Sequence, residues 1–280
     1  MKTNIGFMQG RFSPIINGRI QAFPWETWEE EFVMASKIGI NIMEWTLDQE
    51  RLYENPLLNE SGRNTIISLC KKYNIFIPSL TGDCFMQAPF WKAIGEERIK
   101  LKNDFLNIVS SASLIGIRII VIPLVDNGTI ENDHQEDVLI NFLKTQETML
   151  LKNKIRISFE SDFAPTNLLR FINRLDSPLF GINYDIGNSA SLGFDPKEEF
   201  KIYGNRVNNV HIKDRLLGGS TVPLGKGNAN FPLVFNELKK SNYVGNLIMQ
   251  TARASNNDHS EILKTYMAQI NEWKTNLINL

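Results

Sequence analysis

Short apolar runs alternate along this chain with longer stretches in which apolar residues recur every three to four positions. The short runs predict strands near residues 4–8, 40–45, 75–80, 117–123, 155–160, 179–185, 207–212 and 246–250. The stretches between them predict amphipathic helices. Strand starts recur every 24 to 42 residues, room each time for a strand, a loop and a helix. Eight such units predict an α/β chain folded as a single (β/α)8 TIM barrel over residues 1–280, rather than an open doubly wound sheet.

Local signals agree with that period. Ala35-Ser36-Lys37-Ile38-Gly39-Ile40 matches Ala112-Ser113-Leu114-Ile115-Gly116-Ile117 at five of six positions. In each, a helix is expected to end, glycine to supply a left-handed cap and a strand to begin. A shared helix-to-strand turn explains the match without a shared function. Asn74 and Asn153 are expected to cap two further junctions, and Pro24 to Glu30 places proline and acids near a helix start. The longer connections, 9–25, 46–60, 81–95 and 213–232, all follow strands. They therefore gather at the C-terminal rim, where barrel active sites are built.

Composition narrows the chemistry. The 280 residues are 42% hydrophobic, ample for a core, and carry a formal charge of −1. That balance argues against a nucleic-acid partner, which leaves a basic footprint. The two cysteines, Cys70 and Cys84, form no CxxC, so neither a disulfide framework nor a zinc–cysteine site is indicated. No apolar run approaches the roughly 18 residues of a membrane span, and the N-terminus lacks a long signal-like apolar core. A cytoplasmic protein without a membrane partner is the expectation.

Four predicted strands end on polar residues with metal-ligand chemistry: Glu160, Asp185, His211 and Gln250. They belong to successive strands, so a closed barrel would bring their ends to one rim. Two carboxylates, an imidazole and an amide oxygen suit manganese, magnesium or cobalt, with zinc also open. Taken singly, Glu160 or Asp185 reads equally well as a helix N-cap and His211 as a structural histidine. Taken together they read as a metal site. The other two histidines, His134 and His259, are expected to be solvated loop or helix-start residues.

The strings Ser158-Phe159-Glu160, Asp185-Ile186-Gly187-Asn188, His211-Ile212-Lys213-Asp214 and Leu224-Gly225-Lys226-Gly227-Asn228 resemble, in order and spacing, the xylose-isomerase-like TIM-barrel superfamily. That group contains sugar isomerases, ketose 3-epimerases, inosose dehydratases and family 2 AP endonucleases. The resemblance runs across nearly the whole chain and is strongest over residues 155–253. It implies metal ligands Glu, Asp, His and Glu from strands 5 to 8, which Glu160, Asp185 and His211 match. Gln250 departs from the pattern. An amide keeps an oxygen for a metal but has no proton to exchange near neutral pH, so Gln250 cannot be the second base of a two-base epimerisation.

Three readings follow. The first is a metal-dependent isomerase or epimerase of a sugar or sugar phosphate, working through an enediol with Glu160 as base; a replacement acid would be sought in Lys213 or Asp214. The second is a lyase of the inosose-dehydratase kind. The third is a sugar-binding barrel that has lost catalysis. The endonuclease branch uses a histidine-rich cluster of three metals, which three histidines cannot populate. The resemblance also implies a homodimer or homotetramer.

Further rim residues are expected to meet the substrate: Gln9, Arg11, Glu44, Asp214, Arg215 and Arg253. Arg11 and Arg253 would sit on adjacent strands and together receive a phosphate or carboxylate; surface arginines are the alternative. Lys213 is expected near the rim in a catalytic role. Trp45 fits a sugar platform or the core equally, and the aromatic segment 81–95 either walls the site or packs on the barrel.

Overall fold

The computed structural model describes residues 3–16, 18–176 and 178–275. The ends of the expected 1–280 domain, residues 1, 2 and 276–280, lie outside the described residues. Eight parallel strands close into a barrel: β1 (Ile5–Met8), β2 (Ile42–Thr46), β3 (Phe76–Thr81), β4 (Ile119–Leu124), β5 (Arg156–Ser161), β6 (Phe180–Asp185), β7 (Val207–Ile212) and β8 (Leu247–Met249). Each pairs with its neighbours in sequence, and β8 pairs back onto β1 with Ile5 opposite Leu247. Every strand falls within two residues of its expected position, so the apolar runs alone located the sheet.

Among the described residues eleven α-helices accompany the strands, the longer ones on the outside of the barrel: α1 (Glu30–Ile38), α2 (Glu60–Tyr73), α3 (Asp83–Gln87), α4 (Gly95–Leu114), α5 (Asp133–Thr145), α6 (Glu147–Asn153), α7 (Pro165–Ile172), α8 (Ile186–Leu192), α9 (Pro196–Tyr203), α10 (Phe231–Lys240) and α11 (His259–Thr275). The glycine junctions behave as expected, with Gly39 and Gly116 at φ of 79° and 94°. Asn74 caps α2 in the left-handed region, but at the α6 end that conformation falls to Lys154, one residue after Asn153. A non-glycine residue pays a small steric cost there, and the helix simply runs one residue further.

Side chains divide the barrel into two environments. The outward faces of the strands and the helices share one large apolar core, which includes Trp45, Phe105, Phe159 and Phe171. Met8, Ile42 and Ile248 form a separate small cluster. Alternation along the strands puts polar residues on that inner face above them: Glu44, Ser79, Ser158, Asn183 and Asn209 are all buried. Buried polar groups need partners, so the inside of this barrel is built for chemistry as well as packing. Register shifts fall between Ile42 and Glu44 and between Ile182 and Asn183; such irregularities re-aim side chains next to a site.

Candidate metal centre and active-site cavity

Glu160, Asp185 and His211 stand at the C-terminal ends of β5, β6 and β7. Each offers one donor atom, and these atoms lie within 4.8 Å of one another. Register explains the convergence: Asp185 lies directly opposite His211 across the β6–β7 pair. His211 is wholly buried. Its Nε2 is 2.7 Å from Glu44 Oε1, while its Nδ1 faces Glu160 Oε2 at 3.1 Å and Asp185 Oδ2 at 3.9 Å. Donation from Nε2–H to Glu44 therefore leaves Nδ1 for a ligand, the arrangement by which a carboxylate orients a metal-binding imidazole.

Asparagines complete the shell. Asn183 Nδ2 donates to Glu160 Oε2 at 2.9 Å, Asn188 Nδ2 to Glu160 Oε1 at 2.6 Å, and Asn209 Nδ2 to Glu44 Oε2 at 2.9 Å. Asn183 and Asn209 sit two residues before Asp185 and His211, so strand alternation puts each on the same inner face as its partner. That spacing was the signal by which the sequence could have revealed them.

Charge follows from this geometry. Burial disfavours ionised Glu160, but the His211 hydrogen bond and the Lys213 and His211 charges outweigh it and hold its pKa below the usual carboxylate value. Burial pushes Asp185 the other way, and Lys213 only partly offsets it. For His211, burial opposes the charge, yet the Glu44 charge and hydrogen bonds to Glu160 and Glu44 lift its pKa to about 10, so near neutral pH Nδ1 carries a proton directed at Glu160, and a metal bound at Nδ1 would displace that proton.

The donor set fits a divalent cation. Asp185 Oδ1 accepts from Asn188 N at 2.8 Å and so caps α8. Its Oδ2 is buried and faces the Lys213 ammonium at 2.7 Å. The N-cap and the metal-ligand readings of Asp185 thus belong to different oxygens of one carboxylate. Gln250 stands beside this group, its Oε1 accepting from Lys213 Nζ at 3.1 Å. One ammonium therefore sits between the Asp185 and Gln250 oxygens, where it balances negative charge. Gly187 makes room for it, since a Cβ there would come within 2.8 Å of Lys213 Cγ.

Above the cluster opens a cavity of about 520 Å³, whose lining includes Asp83, Glu160, Asn188, Lys213, Arg215 and Gln250. Its size suits a small polar ligand. Arg215 holds the β7 side of the wall, with Nη1 on Asn188 Oδ1 at 2.8 Å and Nε on Gly219 O at 3.0 Å.

Five expected substrate contacts are committed elsewhere. Arg11 is 1% exposed. It donates to Ile20 O at 2.8 Å and Gln21 Oε1 at 2.6 Å. Arg253 donates to the carbonyls of Gly10, Ser13 and Ile20. Arg253 therefore ties the β8 loop to the β1 loop, and Arg11 folds the β1 loop onto itself. Glu44 serves His211 and Asn209, and Gln9 Oε1 accepts from Thr46 N at 3.1 Å. Asp214 takes the backbone N–H groups of Gly225, Gly227 and Ala229. Gly227 is required for that loop, because a Cβ would fall 2.2 Å from Asp214 Oδ1.

Other expectations resolve similarly. Trp45 is core, with Nε1 on Asn55 Oδ1 at 3.1 Å. The 81–95 segment does both jobs: Phe90 and Trp91 are buried, while Asp83 and Met86 line the cavity. His134 is exposed as expected, whereas His259 is 6% exposed and neither ring nitrogen has a hydrogen-bond partner among the described residues. Glu31 carried no sequence signal; it clasps the β1 loop, accepting from Gly10 N at 2.8 Å, Phe12 N at 3.0 Å and Ser13 Oγ at 2.9 Å.

A closed (β/α)8 barrel with a carboxylate–histidine cluster at its C-terminal rim defines a class of proteins. Within it, the chain belongs to the xylose isomerase-like TIM barrel family, whose pattern it matches over residues 32–272. It is 25% identical over 253 residues to the L-ribulose-5-phosphate 3-epimerase UlaE of Salmonella heidelberg (strain SL476), covering 85% of this chain and 87% of that protein. Among solved structures it resembles a xylose isomerase domain protein from Planctomyces limnophilus, with a TM-score of 0.77, 15% identity and full coverage of both chains. It also resembles D-allulose 3-epimerase from Methylomonas sp., with a TM-score of 0.76, 14% identity and coverage of 97% and 98%. Among the described residues no helix is long and apolar enough to cross a membrane.

Proposed function

We propose that this chain is a divalent-metal-dependent epimerase or isomerase of a small ketose or ketose phosphate. The observation that carries the reading is the Glu160–Asp185–His211 cluster under the cavity, with His211 oriented by Glu44 through Nε2. Glu160, Asp185, His211 Nδ1 and the Gln250 amide oxygen would hold the ion; manganese, magnesium and cobalt suit that donor set. When bound, the metal supplies Lewis acidity toward a substrate oxygen.

The chain's own residues do the rest. Glu160 is kept ionised and faces the cavity, so it serves as the base that removes the proton beside the substrate carbonyl. Asn183 and Asn188 each hold one of its oxygens and fix the carboxylate plane. Lys213 places positive charge beside the oxygen on which negative charge collects as the enediolate forms. Arg215 faces the distal end of a substrate and can receive a hydroxyl or phosphate oxygen. The relatives' names include both a phosphorylated and a free ketose, and the substrate class is drawn from that pair.

The test is proton exchange. The protein is loaded with Mn²⁺ and incubated with L-ribulose 5-phosphate or D-allulose in D₂O, then freed of the ion for proton NMR. The expected result is loss of the signal beside the carbonyl, with Glu160→Gln at least about 100-fold slower. Unchanged exchange in Glu160→Gln with metal bound would remove Glu160 as the base.

A further inference from the structure

Epimerisation in this site leaves one proton unassigned. Gln250 is an amide, and Asp214 spends both oxygens on backbone N–H groups of its loop. We propose that Asp83 is the second proton carrier, delivering a proton to the face of the enediolate turned away from Glu160. The proposal rests on the epimerase reading above.

Asp83 follows β3, and Glu160 ends β5, with β4 between them. Strands two places apart in a sheet stand about 10 Å from each other, which leaves room for a sugar carbon between two inward-facing carboxyl groups. Both residues line the same cavity. The backbone on either side of Asp83 is pinned to β4 and to the residue that follows β2: Gly82 N donates to Val121 O and Cys84 N to Leu47 O, each at 2.9 Å. The carboxyl is therefore held in place by the sheet, at the first residue of the short helix α3.

Its surroundings suit a proton donor. Asp83 is 6% exposed, and its hydrogen-bond partner is Thr81 Oγ1 at 3.4 Å, a long contact. It has no ion-pair partner among the described residues. The other acids on this side of the cavity differ: Asp126 is exposed, and Asp162 accepts from the Thr129 hydroxyl at 2.7 Å. Burial, with the Asp48 and Glu160 charges, pushes the Asp83 carboxyl up to about 7, so near neutral pH it has a proton to give.

The step balances. The substrate C–H bond breaks toward Glu160, whose carboxylate gains the proton, and the electron pair moves onto the carbonyl oxygen. A new C–H bond then forms from the Asp83 O–H on the other face, leaving a carboxylate. One proton has crossed from Asp83 to Glu160, and exchange with water through the open cavity restores both groups.

The experiment separates inversion from exchange. Wild-type, Asp83→Asn, Asp83→Ala and Asp83→Glu proteins are loaded with Mn²⁺ and given L-ribulose 5-phosphate or D-allulose in D₂O; folding is checked by circular dichroism. Asp83→Asn is expected to lose epimer formation by about 100-fold or more, the low end of general acid catalysis. It should keep exchange of the abstracted proton, because Glu160 can return deuterium to the same face. Asp83→Glu should recover part of the inversion. Inversion by Asp83→Asn and Asp83→Ala at near wild-type rates overturns the assignment and leaves the epimerase reading intact. If wild-type protein neither exchanges nor inverts either probe, the epimerase reading fails and Asp83 falls with it.

Discussion

Glu44→Gln probes how the inner face of the barrel prepares the proposed metal centre. Glu44 Oε1 is 2.7 Å from His211 Nε2, and its Oε2 accepts from Asn209 at 2.9 Å. At an effective dielectric constant near 20, opposite charges at that separation attract by about 6 kcal/mol before desolvation is counted, so the net value is far smaller. The amide brings a second penalty. If its oxygen faces His211, its NH₂ meets the Asn209 NH₂; if it flips, the NH₂ meets the imidazole N–H. One buried donor is left unpaired either way, at about 1–3 kcal/mol. Loss of such an orienting partner weakens metal binding about 10- to 100-fold, or about 1.4–2.7 kcal/mol. Calorimetric titration of metal-free protein with Mn²⁺ should show that weakening, with a melting temperature a few degrees lower. Wild-type affinity and stability in Glu44→Gln would refute the claim that His211 presents Nδ1 because Glu44 holds Nε2.

Other outcomes follow from the same structure. Gln250→Glu adds a negative ligand beside Asp185 and should tighten Mn²⁺ binding about tenfold or more, since charge count tunes oxygen-ligand sites; an unchanged dissociation constant would place Gln250 outside the coordination shell. Glu31→Gln replaces one acceptor of the β1 clasp with a donor and should cost about 1–3 kcal/mol in urea unfolding, whereas a neutral result would show that the clasp carries no stability. Burial, aided by Arg253, lowers the His259 pKa below 6.5. The unfolded chain then binds more protons than the native one below that pH, so stability is lost as pH falls. His259→Phe should flatten the acid-side loss attributable to this residue between pH 7 and pH 5, and an identical pH dependence in the variant would contradict the assignment.

The sheet was legible because each strand is a short apolar run with a turn signal at its end. The convergence of Glu160, Asp185 and His211 was legible because they stand at the ends of consecutive strands, so closure alone brings them together. Asn183 and Asn209 were within reach of the same logic, two residues back on the same face. Arg11 and Arg253 were not: their partners are carbonyls of residues 10 to 20 and the Gln21 amide oxygen, which meet them only after the β1 loop folds across the rim. Asp214 likewise spends its charge on backbone groups 11 to 15 residues away. Nothing in an isolated arginine or aspartate distinguishes a ligand contact from a loop tie, because the chemistry of both is the same. Asp83 escaped for a related reason, since its place in the cavity depends on α3 being pinned between β2 and β4.

Glu160, Asp185 and His211 together are proposed to form a metal centre. Anomalous diffraction from crystals of the protein soaked in Mn²⁺ tests it most directly. One strong peak is expected, bonded to Glu160, Asp185 Oδ2 and His211 Nδ1, with the Gln250 amide oxygen turned toward it. Absence of a peak there, or an ion held only by other residues, would contradict it.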